Sequence, residues 1–152
     1  MRRSECPIAA TLDLLGDRWT LLVLRDTLLR HRYGFSQIAS AEGIATNVLM
    51  DRLERLVAAG LLERRVDPAD RRRRTYLPTE RAIGLIGVLV DLLVWGDANT
   101  GANGRADEAA AARVDRDSVI RELEAAARAN AARSSAPGKP MATSRGSPVS
   151  RR

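Results

Sequence analysis

The 152-residue chain is poor in the residue types on which several large classes of chemistry depend. It has one cysteine, so no disulfide can close within it and no zinc site can be built from cysteines. It has one histidine, which excludes enzymes that need a histidine pair or a mixed His-Cys metal centre. Five residues are aromatic (Trp19, Tyr33, Phe35, Tyr76 and Trp95), too few for a base-stacking platform or an aromatic-lined pocket. No nucleophile–base pair, carboxylate dyad or glycine-rich phosphate loop can be assembled, so neither an enzyme nor a cofactor or metal is expected. The one run resembling a membrane span, Ile83 to Trp95, contains Asp91 and is shorter than the ~20 residues a bilayer requires. No apolar stretch directly follows Met1 to Pro7, as a signal peptide would need. These shortages leave a reducing, cytoplasmic setting with no membrane partner as the expectation.

Positive charge is what the chain has in excess. The net charge is +6 and the pI about 10.8. Residues 134–152 carry four cations and no acid, residues 97–133 are at −1, and residues 1–96 are at +3. The 134–152 segment is rich in Ser, Pro, Gly and Arg, and reads as a disordered basic tail. Residues 97–105 read as a linker. Residues 106–133 read as an Ala-rich helical appendage, weakly tethered, with Asp117 or Ser118 as its cap.

Residues 5–96 form the expected domain. Pro7 suits a helix start, with Ile8, Leu12 and Leu15 on one face and Gly16 at the end. Asp17 can cap a second helix. Ser36 can cap a short third one, followed by a tight turn at Glu42-Gly43-Ile44. Thr46 opens a longer helix with Leu49, Leu53, Leu56 and Val57 on one face, stopped by Gly60. Residues 61–67 and 73–77 alternate like paired strands, with Pro78 ending the ladder. Residues 79–95 complete the domain as a final helix. Short helix, tight turn, longer helix and two-stranded ribbon are the order of a winged helix-turn-helix, so a mainly α fold with a small β-wing is expected.

The outer face of the Thr46 helix carries Thr46, Asn47, Val48, Asp51, Arg52 and Arg55. Short hydrogen-bonding side chains, a methyl contact and arginines match what a DNA major groove displays, although a solvated helix face has the same pattern. The ribbon weights the choice. Residues 63–74 hold six basic and three acidic residues, including Arg71, Arg72, Arg73 and Arg74 in a row. Such a wing fits the phosphate backbone of double-stranded DNA. Asp70 is expected to pair with one of these arginines and hold the turn. His31, between two arginines, reads as a solvated loop residue, and Trp19 as a core anchor. The last helix is apolar on nearly every side, which calls for a partner subunit to cover it.

Several motifs recur in a recognisable order: Cys6-Pro7; TLDLLGDRWTLL at 11–22 with Leu24-Arg25-Asp26; Phe35-Ser36; EGIATNVL at 42–49; Asp51-Arg52-Leu53; and Ala59-Gly60-Leu61. Together they resemble the HxlR family of bacterial transcription regulators over about residues 5–96. Residues 67–72 resemble the wing tip of the related MarR regulators. At the wing exit the family's Tyr-x-Leu-Thr-x-x-Gly is replaced by residues 76–82, with Pro78 and Ala82 at variant positions.

The resemblance implies a homodimer on a pseudo-palindromic operator in the bacterial cytoplasm, and the expected regulator is a repressor acting by steric block. It implies dimerisation through the terminal helices, here Ile8 with Leu85, Leu89, Leu92, Leu93 and Trp95. Ser36 and Gln37, at the start of the first helix of the pair, would meet the DNA backbone. Cys6 stands where some members carry a thiol sensor, beside Arg2 and Arg3 but also Glu5; equally, it suits a small residue packed at a subunit edge. A small molecule or an oxidant would be the inducer. The alternative is a sensor or protein-interaction module in which DNA binding is secondary.

Overall fold

The computed structural model describes residues 5–67, 70, 72–102 and 104–135. The element order is α1 (Pro7–Leu15), α2 (Arg18–Leu29), α3 (Phe35–Glu42), α4 (Thr46–Ala58), β1 (Leu62–Val66), β2 (Arg74–Pro78), α5 (Glu80–Ile83), α6 (Ile86–Asn99), α7 (Ala106–Val114) and α8 (Arg116–Ser135). This is a winged helix-turn-helix, mainly α with one antiparallel pair of strands, as the element order predicts.

Local chemistry sets most boundaries. Gly16 closes α1 because its N–H meets the Leu12 carbonyl at 2.7 Å; a Cβ there would lie 2.3 Å from that oxygen. The Asp17 carboxylate caps α2 through the Trp19 and Thr20 amides, each at 3.1 Å. Gly43 ends α3 at φ 63°, a left-handed turn that lets the chain swing directly into α4. Ser36 does not cap α3. Gly34 holds that position, and the Gln37 side chain accepts its N–H at 3.0 Å, so Ser36 is left exposed within the first turn.

The core runs through Val23, Leu24 and Leu28 of α2, Ile38 of α3, Leu49, Leu53 and Leu56 of α4, Leu61, Leu62 and Tyr76 of the ribbon, and Ile83, Ile86 and Val90 of the helices that follow. The three leucines of α4 are 0–1% exposed, and each contributes on the order of 1.5–3 kcal/mol by leaving water. β1 and β2 pair from Leu62↔Pro78 to Val66↔Arg74. Pro78 has no N–H to give, and Thr79 takes over: its N–H reaches the Leu61 carbonyl at 3.1 Å, its hydroxyl reaches the Gly60 carbonyl at 2.8 Å, and its Oγ1 accepts from Ala82 N–H to cap α5. Unpredicted was a bridge between Gly34 and Thr75, with Tyr76 N–H donating to the Tyr33 carbonyl at 2.8 Å, which ties the chain leading into α3 to the wing.

The expected final helix differs in two ways. It breaks at Gly84–Leu85 into α5 and α6, and it continues to Asn99, so residues 97–99 of the expected linker are helical. The stretch Glu80–Asn99 is then long and apolar enough by composition to cross a bilayer, contrary to the expectation from Ile83 to Trp95. It is nonetheless broken, and it buries Ala82, Ile83, Ile86, Leu89 and Val90 in this domain.

The Ala-rich appendage is packed down. α7 and α8 lie on α6, and α8 also crosses α2, α5 and β2. Ala109, Ala112 and Ala127 are buried, and Val119, Ile120 and Leu123 pack against the core. Small side chains bring the helices close despite a thin apolar stripe. The cap of α8 is Asp115, accepting from Ser118 N–H at 2.9 Å, rather than Asp117 or Ser118. Arg116 grips Asp91 with two bonds of 2.6 and 2.7 Å, Arg113 meets Asp97 at 2.7 Å, and Arg128 meets Glu80 at 3.1 Å. Ser134 and Ser135 close α8, so these two residues of the expected tail are helical. Residues 136–152 lie outside the described residues.

Candidate nucleic-acid interface

α4 turns its leucines inward, and this alone dictates what faces out. Thr46, the first residue of α4 after Ala45 at the cap, is exposed, as are Asn47, Asp51 and Arg55; Val48 is half-buried and packs on the core. The expected reading face is therefore presented to solvent at the N-terminal half of the helix.

Arg52 is the exception. Its Nε donates to Asp17 Oδ1 at 2.9 Å and its guanidinium also pairs with Asp51, leaving 20% of the side chain exposed. The arginine that a helical wheel puts on the flank of the reading face is thus committed to the cap of α2. Partial burial pushes the Asp17 carboxyl up, but hydrogen bonds from Thr20 and Arg52 outweigh it and hold it below its usual value of 3.8. A carboxylate stabilised in the folded state contributes above its unfolded pKa, and its contribution disappears as pH falls through the depressed folded value. Arg52→Ala is expected to lower the thermal midpoint at pH 6, with the gap from the wild type narrowing as pH drops below about 4. A gap that is constant with pH would contradict the clamp.

The wing supplies the second surface. Arg72, Arg73 and Arg74 are exposed, while Arg71 lies outside the described residues. Asp70 does hold the turn, through the backbone: its carboxylate accepts from Arg72 N–H at 3.0 Å, and its carbonyl from Arg73 N–H at 2.9 Å. Among the described residues, no ion pair of Asp70 with an arginine side chain accompanies these bonds.

Arg72, Arg73 and Arg74 line an open cleft of about 950 Å³ together with Ser36 and Gln37 from the start of α3, Arg65 of β1, His31, and Ser134 and Ser135 of α8. The wing and the first turn of α3 are therefore brought to one surface. Arg65 and His31 were not expected there. Alternation along β1 places Arg65 beside Glu63, which it meets at 3.2 Å, but only the folded ribbon shows which side of the sheet borders α3. His31 is half-buried at φ 52°, and burial followed by the charge of Arg133 holds its imidazole below the usual value of 6.5.

Residues 14–103 match the HxlR-like helix-turn-helix family. The chain belongs to that family. Among its relatives, the uncharacterized HTH-type transcriptional regulator Rv3095 of Mycobacterium tuberculosis is 39% identical over 90 residues, covering 59% of this chain and 56% of Rv3095. The match thus spans little more than half of that relative's length. Two solved structures share the fold. PA1607 superposes with a TM-score of 0.60 at 29% identity, covering 68% of this chain and 72% of PA1607. The reduced form of the transcriptional regulator YodB from Bacillus subtilis superposes at 0.53 with 27% identity, covering 64% of this chain and 96% of YodB.

In this HxlR-family chain α1 and α6 leave apolar surface uncovered. Ile8 and Leu12 of α1 are 71% and 57% exposed, and Val88, Leu92 and Trp95 of α6, at i, i+4 and i+7, are 46%, 48% and 63% exposed. Leu89 is not on that face: it is 7% exposed and belongs to the chain's own core. Leu85 and Leu93 are half-buried. The expectation of a helix needing cover on all sides is corrected accordingly, because α7 and α8 already cover part of α6. Cys6 is exposed at the cap of α1, two residues before Ile8.

Proposed function

We propose that the chain is a sequence-specific DNA-binding transcriptional regulator that works as a cytoplasmic homodimer, most simply as a repressor. One observation carries the reading: an exposed, hydrogen-bonding outer face on the N-terminal half of α4, together with a cationic wing that shares a cleft with the first turn of α3. Membership of the HxlR family and the similarity to YodB support it. Thr46, Asn47, Val48, Asp51 and Arg55 read base edges in the major groove. Arg52 holds α4 in place through Asp17. Ser36, Gln37 and the wing arginines, Arg71 included, contact phosphates.

The exposed stripes of α1 and α6 join two copies, with Ile8, Leu92 and Trp95 as anchors and Leu85 and Leu93 at the margin. Two-fold symmetry then sets a pair of α4 helices about one DNA turn, ~34 Å, apart on a pseudo-palindrome. Occupancy of the operator excludes polymerase. An inducer, whether a small molecule or an oxidant acting on Cys6, changes the angle between the subunits and releases the DNA.

The wing is tested by salt titration. Arg72→Ala with Arg73→Ala is expected to weaken binding to all duplexes alike and to reduce the log–log salt slope by about 2, at ~0.9 per lost phosphate contact. An unchanged slope would remove the wing from the interface.

A further inference from the structure

The cleft between the wing, the first turn of α3 and the end of α8 is lined by no residue of α4 among the described ones. Beside the exposed Arg72, Arg73 and Arg74 it includes side chains of a different kind. Tyr33 is buried, Ser135 is half-buried, and Val66 is an apolar side chain left 47% exposed. A volume of about 950 Å³ lies at the upper end of the range for small-molecule sites, about 300–1,000 Å³.

Arg65 meets Glu63 at 3.2 Å, whereas Arg72, Arg73 and Arg74 meet no carboxylate among the described residues. Asp67 is the one acid among the described lining residues, against four arginines. Guanidinium groups gathered in this way repel one another, and an oxyanion that accepts their forked N–H groups relieves the repulsion. A doubly charged head group draws twice the Coulomb attraction of a singly charged one from each of them. His31 borders the same cleft, with its Nδ1 3.5 Å from the Tyr33 hydroxyl oxygen, and at φ 52° it is the only described non-glycine residue with a positive φ. Such strain persists where the surrounding structure fixes it, commonly at ligand sites. Burial, then the charge of Arg133, keeps the imidazole below its usual value of 6.5, so at neutral pH the ring is uncharged and can both donate and accept a hydrogen bond.

We propose that this cleft is an effector site for a phosphate monoester with a small apolar body. The dianionic head lies among Arg65, Arg72, Arg73 and Arg74, and the body lies against Val66 with His31 and Ser135 beside it. The wing arginines cannot serve a duplex and the ester at once, so the bound ester releases the DNA. That release rests on the DNA-binding reading above; the binding of the ester does not.

The experiment titrates the full chain with phenyl phosphate, benzoate and inorganic phosphate by calorimetry, at a pH above the ester's second pKa of about 6. Release of a duplex that the chain selects from genomic fragments is followed by fluorescence anisotropy. Phenyl phosphate is expected to titrate one site per subunit, about tenfold or more tighter than benzoate or inorganic phosphate. It is also expected to release the duplex at concentrations where sodium chloride of equal ionic strength does not. Two full-length variants test the place. His31→Gly removes the imidazole and suits the positive φ, and Ser135→Phe fills the cleft from the last residue of α8. Each is expected to keep its far-UV spectrum, to weaken phenyl phosphate about tenfold, and to leave duplex affinity within about twofold. Equal affinity for all three anions, or full-strength binding by both variants, would overturn the site, because exposed guanidinium groups alone would then account for the binding. A titration with no saturation would overturn it while leaving the regulator reading intact. Saturable binding with the duplex still held would overturn the release. If the ester binds as expected but the full chain binds no duplex at low salt, the DNA-binding reading fails and the anion site stands.

Discussion

Leu92→Glu combined with Trp95→Glu is expected to leave each subunit folded, to halve the mass in solution, and to lower operator affinity by about 10²–10⁴-fold. The fold survives because neither side chain belongs to the core: Leu92 is 48% and Trp95 63% exposed. Affinity falls because one recognition helix must then bind without the second held at a fixed separation, and linked sites gain factors of that size over single ones. Both glutamates would face their counterparts across a two-fold contact, where like charges and lost apolar area both oppose association. Sedimentation equilibrium together with anisotropy on a two-half-site duplex checks both parts. A variant that keeps the wild-type mass would move the subunit contact away from α6.

Asp26→Ala is expected to be the most destabilising single polar substitution in the helix-turn-helix. The carboxylate is 1% exposed and faces three guanidinium groups: Arg25 at 2.7 Å, Arg30 at 3.4 Å and Arg32 at 3.6 Å. Arg25 also reaches Glu42 at 2.7 Å, so the cluster ties α2 to the last turn of α3. Removing one member of a fully buried pair costs about 3–5 kcal/mol. The arginines here are 19–37% exposed and recover some hydration, so about 2–4 kcal/mol is expected. For a chain of this size that lowers the thermal midpoint by roughly 5–15 °C. Asp26→Asn keeps the shape and is expected to cost less. A midpoint within about 2 °C of the wild type for Asp26→Ala would show that the cluster contributes little.

Where a periodic face or a glycine-marked helix end was written in residues a few positions apart, the sequence was enough. The leucine spacing of α4 specified which side faces the core and thereby which side faces out. Asp17, Gly16, Gly43 and Gly60 marked helix ends because capping and left-handed turns are decided locally. Two caps were displaced by two or three residues, Gly34 for Ser36 and Asp115 for Asp117 or Ser118, because neighbouring polar side chains compete for the same helix end; the other misses were long-range or aperiodic. Arg52 looked available because its partner, Asp17, is 35 residues away. The break at Gly84–Leu85 was invisible in a run that is apolar on every side and so has no period to interrupt. α8 looked loose because alanines bury little area each, although they permit close helix contacts once the fold is assembled. Asp26 carried a usable signal: an acid between Leu24 and Leu28 with arginines at 25, 30 and 32 is out of place on a core-facing helix unless it is paired.

Footprinting of the purified full chain on genomic fragments that it selects decides whether two α4 helices read DNA together. Two protected half-sites, related by a dyad, centred about one helical turn apart and lost at high salt, are the predicted result. Protection of a single half-site, or uniform coating without sequence preference, would contradict it.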